Sequence, residues 1–172
     1  MQIDMLLRLC VPYGFILCLF ALSTVPLTLP LTGPVEVPLL VMAIYYWSLY
    51  RPTLLPVWLV FAAGVLYDLL SGLPVGMHAF VFVIIRWVVV DQRLFLTGQP
   101  FVTVWIGYML VSAGAALLQW GLFGLIHFQW PPFAPTLLMT TLGIFMFPFI
   151  MMALHFTHRF LPVLVNPYSA VK

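Results

Sequence analysis

Gly64-Val65-Leu66-Tyr67-Asp68-Leu69-Leu70-Ser71-Gly72-Leu73-Pro74-Val75-Gly76-Met77-His78-Ala79 joins two apolar runs through six turn-forming residues, Ser71 to Gly76. A glycine- and proline-punctuated gap of this length between apolar runs predicts two antiparallel helices and a tight turn. Gly64, Asp68 and Gly72 are spaced by four, so they share one helix face. Glycines on that face let two backbones approach, and a carboxylate among them can accept hydrogen bonds from N–H groups of the neighbouring turn. His78, just past the turn, is the side-chain partner within reach. Pro74 interrupts Gly72-xxx-Gly76, so that spacing reads as a turn rather than a helix-dimer motif. An aspartate at mid-membrane costs about 2.5–3.5 kcal/mol on insertion scales, which makes Asp68 a functional-site hypothesis. Two roles stay open for it: an anchor for the hairpin, which the spacing favours, and a proton-carrying or catalytic group.

Working outward, the whole chain is as apolar as this stretch. Of 172 residues, 65% are apolar, and six Lys or Arg and four Asp or Glu carry all the side-chain charge other than histidine's. Soluble domains use about a quarter charged residues, so a soluble globule is excluded, as is disorder. Scattered basic residues make no phosphate-tracking stripe, which excludes nucleic-acid binding. About 20 residues cross a bilayer. The breaks at Pro, Gly and charged residues divide one domain, residues 1–172, into six expected spans: 9–26, 39–50, 54–70, 77–90, 101–123 and 136–156. The fold class expected is an all-α, six-helix transmembrane bundle. The first run is too long for an ordinary signal-peptide core and leads into more membrane sequence, so it reads as a retained span.

Charge distribution orients the bundle. Arg8, Arg51, Arg93, Arg159 and Lys172 fall on one side, and Arg86 lies about two turns from it. Loops 27–38, 71–76 and 124–135 contain no Lys or Arg, which puts both termini in the cytoplasm. Trp130 in an outer loop, and Tyr45, Tyr46, Trp47 and Tyr50 near an inner boundary, suit interfacial belts, although Tyr and Trp also pack in cores. Arg86 is five residues before Asp91, a poor spacing for a pair within one helix. It is expected to snorkel toward the inner headgroups or a partner, and together with Arg51 it is an interface candidate.

Catalytic equipment is not evident. Asp68 and Asp91 sit at opposite ends of the third and fourth spans, too far apart to share a proton as a protease dyad does. Cys10 and Cys18 are about 12 Å apart along a helix, beyond disulfide reach. No metal or cofactor spacing is present; His155 and His158 lack a third ligand, and His127 belongs to an outer loop. Gln119 is a lone amide in the fifth span. Gly107, Gly114 and Gly121 repeat every seven residues along it as a packing seam, facing either another span or another protein.

The 51–79 segment resembles the rod shape-determining protein MreD family. The resemblance rests on an aromatic-rich second span ending at Arg51-Pro52, and on Gly64-xxx-Asp68-xxx-Gly72-xxx-Gly76 with Pro74 and His78. A last span with Thr140, Thr141 and Pro148 adds to it. The resemblance implies a non-enzymatic scaffold of the bacterial elongation machinery in the inner membrane. The partners it implies are MreC first, then the actin-like MreB, the glycosyltransferase RodA and a class B penicillin-binding protein. It also implies a fold similar to the substrate-binding subunits of vitamin transporters. The competing class is a small-molecule or lipid binding or transport subunit, which a cavity lined by several of Asp68, His78, Arg86 and Gln119 would favour.

Reporter fusions at residues 33, 73 and 131 are expected to score periplasmic, and fusions after Arg51, Arg93 and Lys172 cytoplasmic. A cytoplasmic signal at residue 73 contradicts the six-span reading.

Overall fold

The computed structural model describes residues 38–158, together with Gly14, Cys18, residues 20–23 and the backbone of two short strands; side chains are described as far as His155. Cys10, Arg8, Arg159, Lys172 and most of the first expected span lie outside the described residues, as does the side chain of His158. Gly14, Cys18 and residues 20–23 are helical. An antiparallel hairpin follows, pairing β1 (Leu27–Leu29) with β2 (Gly33–Val35) in the register Leu27 to Val35. The reading as a purely helical bundle omits this hairpin, because Pro30, Gly33 and Pro34 mark breaks without showing that the segments between them pair.

Five helices make up the rest: α1 (Leu39–Tyr50), α2 (Val57–Ser71), α3 (Met77–Leu96), α4 (Phe101–His127) and α5 (Phe133–His158). Prolines stand just before α2 and α4, extended at Pro56 and Pro100. Proline has no N–H to lose at a helix start, so it marks where a helix begins. α2 starts three residues later than the expected 54, because residues 51–56 form a turn-rich loop. α3 runs six residues beyond the expected 90. Asp91, Gln92 and Arg93 end the apolar run but not the helix, which continues to the break at Gly98-Gln99-Pro100. α4 and α5 likewise extend past their expected ends, shrinking the loop between them to five residues, 128–132. α4, and α5 from Phe133 to His155, are long and apolar enough to cross a membrane; α1 and α2 are shorter apolar helices.

α1 is the centre of the fold. Every residue from Leu39 to Leu49 is buried, and α3, α4 and α5 all pack against it, while α2 lies on α3. A helix apolar on every side has no solvent face to offer and is enclosed. Of the two placements open to them, interfacial belt or core, Tyr45, Tyr46 and Trp47 therefore take the core. The Tyr45 hydroxyl donates to the Val104 carbonyl at 2.9 Å. Its ring meets Tyr108 and Phe147 edge-on, and those two rings stack 4.1 Å apart. Gly107 makes room for this contact, since a Cβ there would lie 2.7 Å from the Tyr45 hydroxyl.

The outside is apolar too. Trp58, Trp87, Leu110, Phe149 and Met152 are each at least 70% exposed. Exposed apolar side chains on this scale suit hydrocarbon rather than water.

α5 contains Pro148. Proline cannot donate to the carbonyl four residues earlier, so the Ile144 oxygen loses its helical partner. Trp105 of α4 takes the vacancy, its Nε1–H donating to that oxygen at 3.0 Å. Trp105→Phe is expected to destabilise the protein by about 1–3 kcal/mol, the cost of a buried acceptor left unmade. In a Pro148→Ala background the restored N–H should remove most of that cost. Equal losses of thermal stability in the two backgrounds would contradict this pairing.

Candidate functional site

The hairpin that the sequence marks is tied together by one side chain. Asp68 lies in the last turn of α2 and is 0% exposed. Its main-chain carbonyl accepts the N–H groups of Gly72 and of Leu73, ending α2 with Gly72 in the left-handed conformation. Its carboxylate reaches over the turn to the start of α3. Oδ2 accepts the Gly76 N–H at 2.8 Å, and both oxygens lie near the His78 N–H, at 3.1 and 3.2 Å. Oδ1 is 2.6 Å from His78 Nδ1. A carboxylate can only accept, so Nδ1 carries the hydrogen.

The physical logic is helix capping supplied from the preceding helix. The first N–H groups of α3 have no intrahelical acceptors and carry the positive end of the helix dipole. Gly76, at the N-cap, has no side chain to serve them; its φ of 100°, like the 67° at Gly72, is a conformation that suits glycine. Asp68 supplies the missing oxygens. Gly64 completes the unit one turn earlier. A Cβ there would sit 2.3 Å from the Ala79 Cα, so the α2 and α3 backbones touch at this level. Tyr67 and Phe82 bracket the His78 ring at 4.8 and 5.7 Å. The Gly64, Asp68 and Gly72 spacing marks neither ring, although Phe82 lies four residues after His78 and so on the same helix face.

Beside this unit is a cavity of about 400 Å³. His78 forms part of its wall, with Tyr67, Phe82, Ser112, Gln119 and Thr140 around it. Asp68 and Arg86 are absent from the lining, so the four polar groups considered together in the sequence do not converge. Only His78 and Gln119 meet there.

Arg86 is at the far end of the same helix pair. Its Nε–H donates to the Leu55 carbonyl at 2.6 Å, with a longer contact of 3.5 Å from Nη2 to the Pro52 carbonyl. This corrects the simple snorkelling expectation. The 51–56 loop presents carbonyls without helical partners, and a half-buried guanidinium beside them satisfies them instead of running straight out to the headgroups. Asp91 is held by the Gln92 amide at 3.1 Å.

The other sequence candidates separate. Among the described residues, Gly107 meets Tyr45 and Leu96, whereas Gly114 and Gly121 have nothing against the position of a Cβ, so the seven-residue seam is not one contact among them. Trp130 is 61% exposed, yet its ring lies on Gly124 and 4.8 Å from Trp120. Gly124 and Gly143, which accommodate Trp130 and Pro38, were not singled out by spacing. Among the described residues no group of three metal-ligating side chains forms. Cys18 is exposed and unpaired in any disulfide.

The family model for the rod shape-determining protein MreD matches residues 4–157. The chain belongs to the MreD family. It is thus a membrane protein with a role in rod shape, and the family is a shape-determining component rather than a known family of enzymes. No curated protein and no solved structure matches the chain, so the likeness to vitamin-transporter subunits rests on the family resemblance alone.

The turn geometry ranks substitutions. Asp68→Asn keeps an acceptor but loses charge assistance, and is expected to cost ~1 kcal/mol. Asp68→Ala strands the Gly76 and His78 donors, at about 1–3 kcal/mol for each, and should lower the melting temperature distinctly further. Equal losses for Asn and Ala would contradict capping.

Proposed function

We propose that this protein is a non-enzymatic scaffold of the bacterial cell-wall elongation machinery, maintaining rod shape by binding MreC and helping to organise the peptidoglycan synthases. The wider assembly then includes MreB, RodA and a class B penicillin-binding protein. The protein lies in the inner membrane with six spans and cytoplasmic termini. Family membership supports the shape-related part. The observation that carries the non-enzymatic part is the state of Asp68: its carboxylate is fully buried, absent from the cavity lining, and engaged by two backbone N–H groups and a histidine. A carboxylate used this way fixes a hairpin and has no open side toward a substrate. Among the described residues, Arg86 contacts the loop that begins at Arg51, and Arg93 lies further along α3, away from the Ser71–Gly76 turn, which supports the orientation. α1, at 12 residues, is shorter than the hydrocarbon core, but it is enclosed by other helices and needs no lipid-facing length of its own.

The cavity supports a second reading, a small-molecule or lipid binding subunit, because His78, Ser112, Gln119 and Thr140 give a largely apolar hollow several polar points. Purification separates the two. On the scaffold reading, the detergent-solubilised protein retains MreC through affinity capture, and Asp68→Asn still does so. A folded Asp68→Asn protein that binds MreC yet fails to support rod shape would overturn the scaffold role of this residue. Recovery of a stoichiometric small molecule from the purified chain would favour the second reading.

A further inference from the structure

We propose that the α2–α3 face holds the lipid bilayer beside it thinner than bulk, at about 22 Å of hydrocarbon. The inference rests on the six-span reading above, in which both helices cross the membrane, and not on MreC binding. Helix lengths carry it. α2 has 15 residues and so rises about 22 Å, against a hydrocarbon core of about 30 Å. Unlike the enclosed α1, it packs on α3 and leaves Val57, Trp58, Phe61, Leu66, Leu69 and Leu70 exposed from one end to the other. Neither end can grow. Pro56 is extended, and Gly72 ends the helix in the left-handed conformation. Beyond them lie the 51–56 loop and the Ser71–Gly76 turn. Irregular backbone of that kind does not face lipid inside the hydrocarbon layer.

α3 gives the same thickness independently. Its apolar run starts at Met77 and ends at Val90, a rise of about 21 Å, where Asp91 and Gln92 are exposed. Leu94 and Phe95 come after that charge and add no length to the run. Arg86, inside it, donates to the Leu55 carbonyl, which ties the 51–56 loop to α3 and fixes the inner edge. Trp58 and Trp87 are exposed near that edge, and tryptophan concentrates where hydrocarbon gives way to headgroups. The α4–α5 pair is long by contrast. α4 has 27 residues without a Lys, Arg, Asp or Glu, about 40 Å, and α5 is apolar over 23 residues, about 34 Å. A long helix fits a core of about 30 Å by tilting, whereas tilt only shortens the reach of a short one. At α2 and α3 it is therefore the lipid that adjusts.

Spin labelling of the whole chain in phosphatidylcholine vesicles tests this. Single labels go on Val57→Cys and Leu70→Cys, near the two ends of α2, in a Cys10→Ser, Cys18→Ser background. Both sites are exposed, so a label displaces no packed side chain. Immersion depth is read from relaxation by oxygen and by a water-soluble nickel chelate. Thinning predicts both labels at the interface, with depths adding to nearly zero in dioleoyl lipid as in the thinner dimyristoleoyl lipid. Depths adding to nearly zero in dimyristoleoyl but to about 8 Å in dioleoyl lipid, the shortfall of α2, would overturn the proposal. Labels that neither oxygen nor the chelate reaches would also overturn it, because a second copy then covers α2. A membrane-impermeant maleimide separates the two readings. Reaction of both cysteines from one side of the vesicle contradicts the six-span reading itself, whereas reaction from opposite sides with one label deep contradicts thinning alone.

Discussion

One buried carboxylate holds the α2–α3 hairpin closed. The start of a helix presents backbone donors that water normally serves; inside a membrane or a packed core they must be served by protein, because an unsatisfied group there costs several kcal/mol. In this chain the turn is too tight to carry its own capping side chain, since Gly72 and Gly76 both need positive φ. Asp68 answers from the preceding helix, with its carbonyl closing α2 and its carboxylate opening α3. The close approach at Gly64 and Ala79 and the ring contacts around His78 depend on that closure. α3 in turn forms one wall around the buried α1.

The same constraint recurs elsewhere. Pro148 strands the Ile144 carbonyl, and Trp105 reaches across from α4. The 51–56 loop strands the Leu55 carbonyl, and Arg86 reaches across from α3. Trp120 of α4 donates to the Pro131 carbonyl in the short loop before α5, at 3.0 Å. With so few charges available, the fold joins its helices largely through single polar side chains aimed at backbone groups that proline or a turn has left without partners. Each such contact links two elements, so the polar residues act as staples between helices, and the apolar contacts around them supply the bulk of the packing.

Much of the helical layout was legible. Pro38 and Arg51-Pro52 bound α1 where the sequence suggested, and the Ser71–Gly76 turn separates α2 from α3 as its glycines and proline imply. Gly64 and Asp68 could be grouped because a four-residue spacing is also a spatial neighbourhood on a helix, and His78 could be added because it lies just past the turn. What stayed hidden depends on tertiary partners. Tyr45, Tyr46 and Trp47 have the composition of an interfacial belt, and only the enclosure of α1 by three helices makes them core. Arg86 looked like a snorkelling cation because its acceptors, Pro52 and Leu55, are more than thirty residues away in sequence. The cavity gathers residues from α1 to α5 that no spacing connects. Asp91-Gln92-Arg93 ends an apolar stretch but not α3, because a helix can continue through polar residues once it leaves the apolar layer.

Site-resolved hydrogen exchange at the Gly76 and His78 amides tests most directly whether the Asp68 carboxylate caps α3. Both N–H groups should be strongly protected in the wild-type protein, and protection should collapse at these two positions in Asp68→Ala while the amides of α1 stay slow. Fast exchange at Gly76 and His78 in the folded wild type, or unchanged protection in Asp68→Ala, would contradict the closure of the hairpin by this side chain.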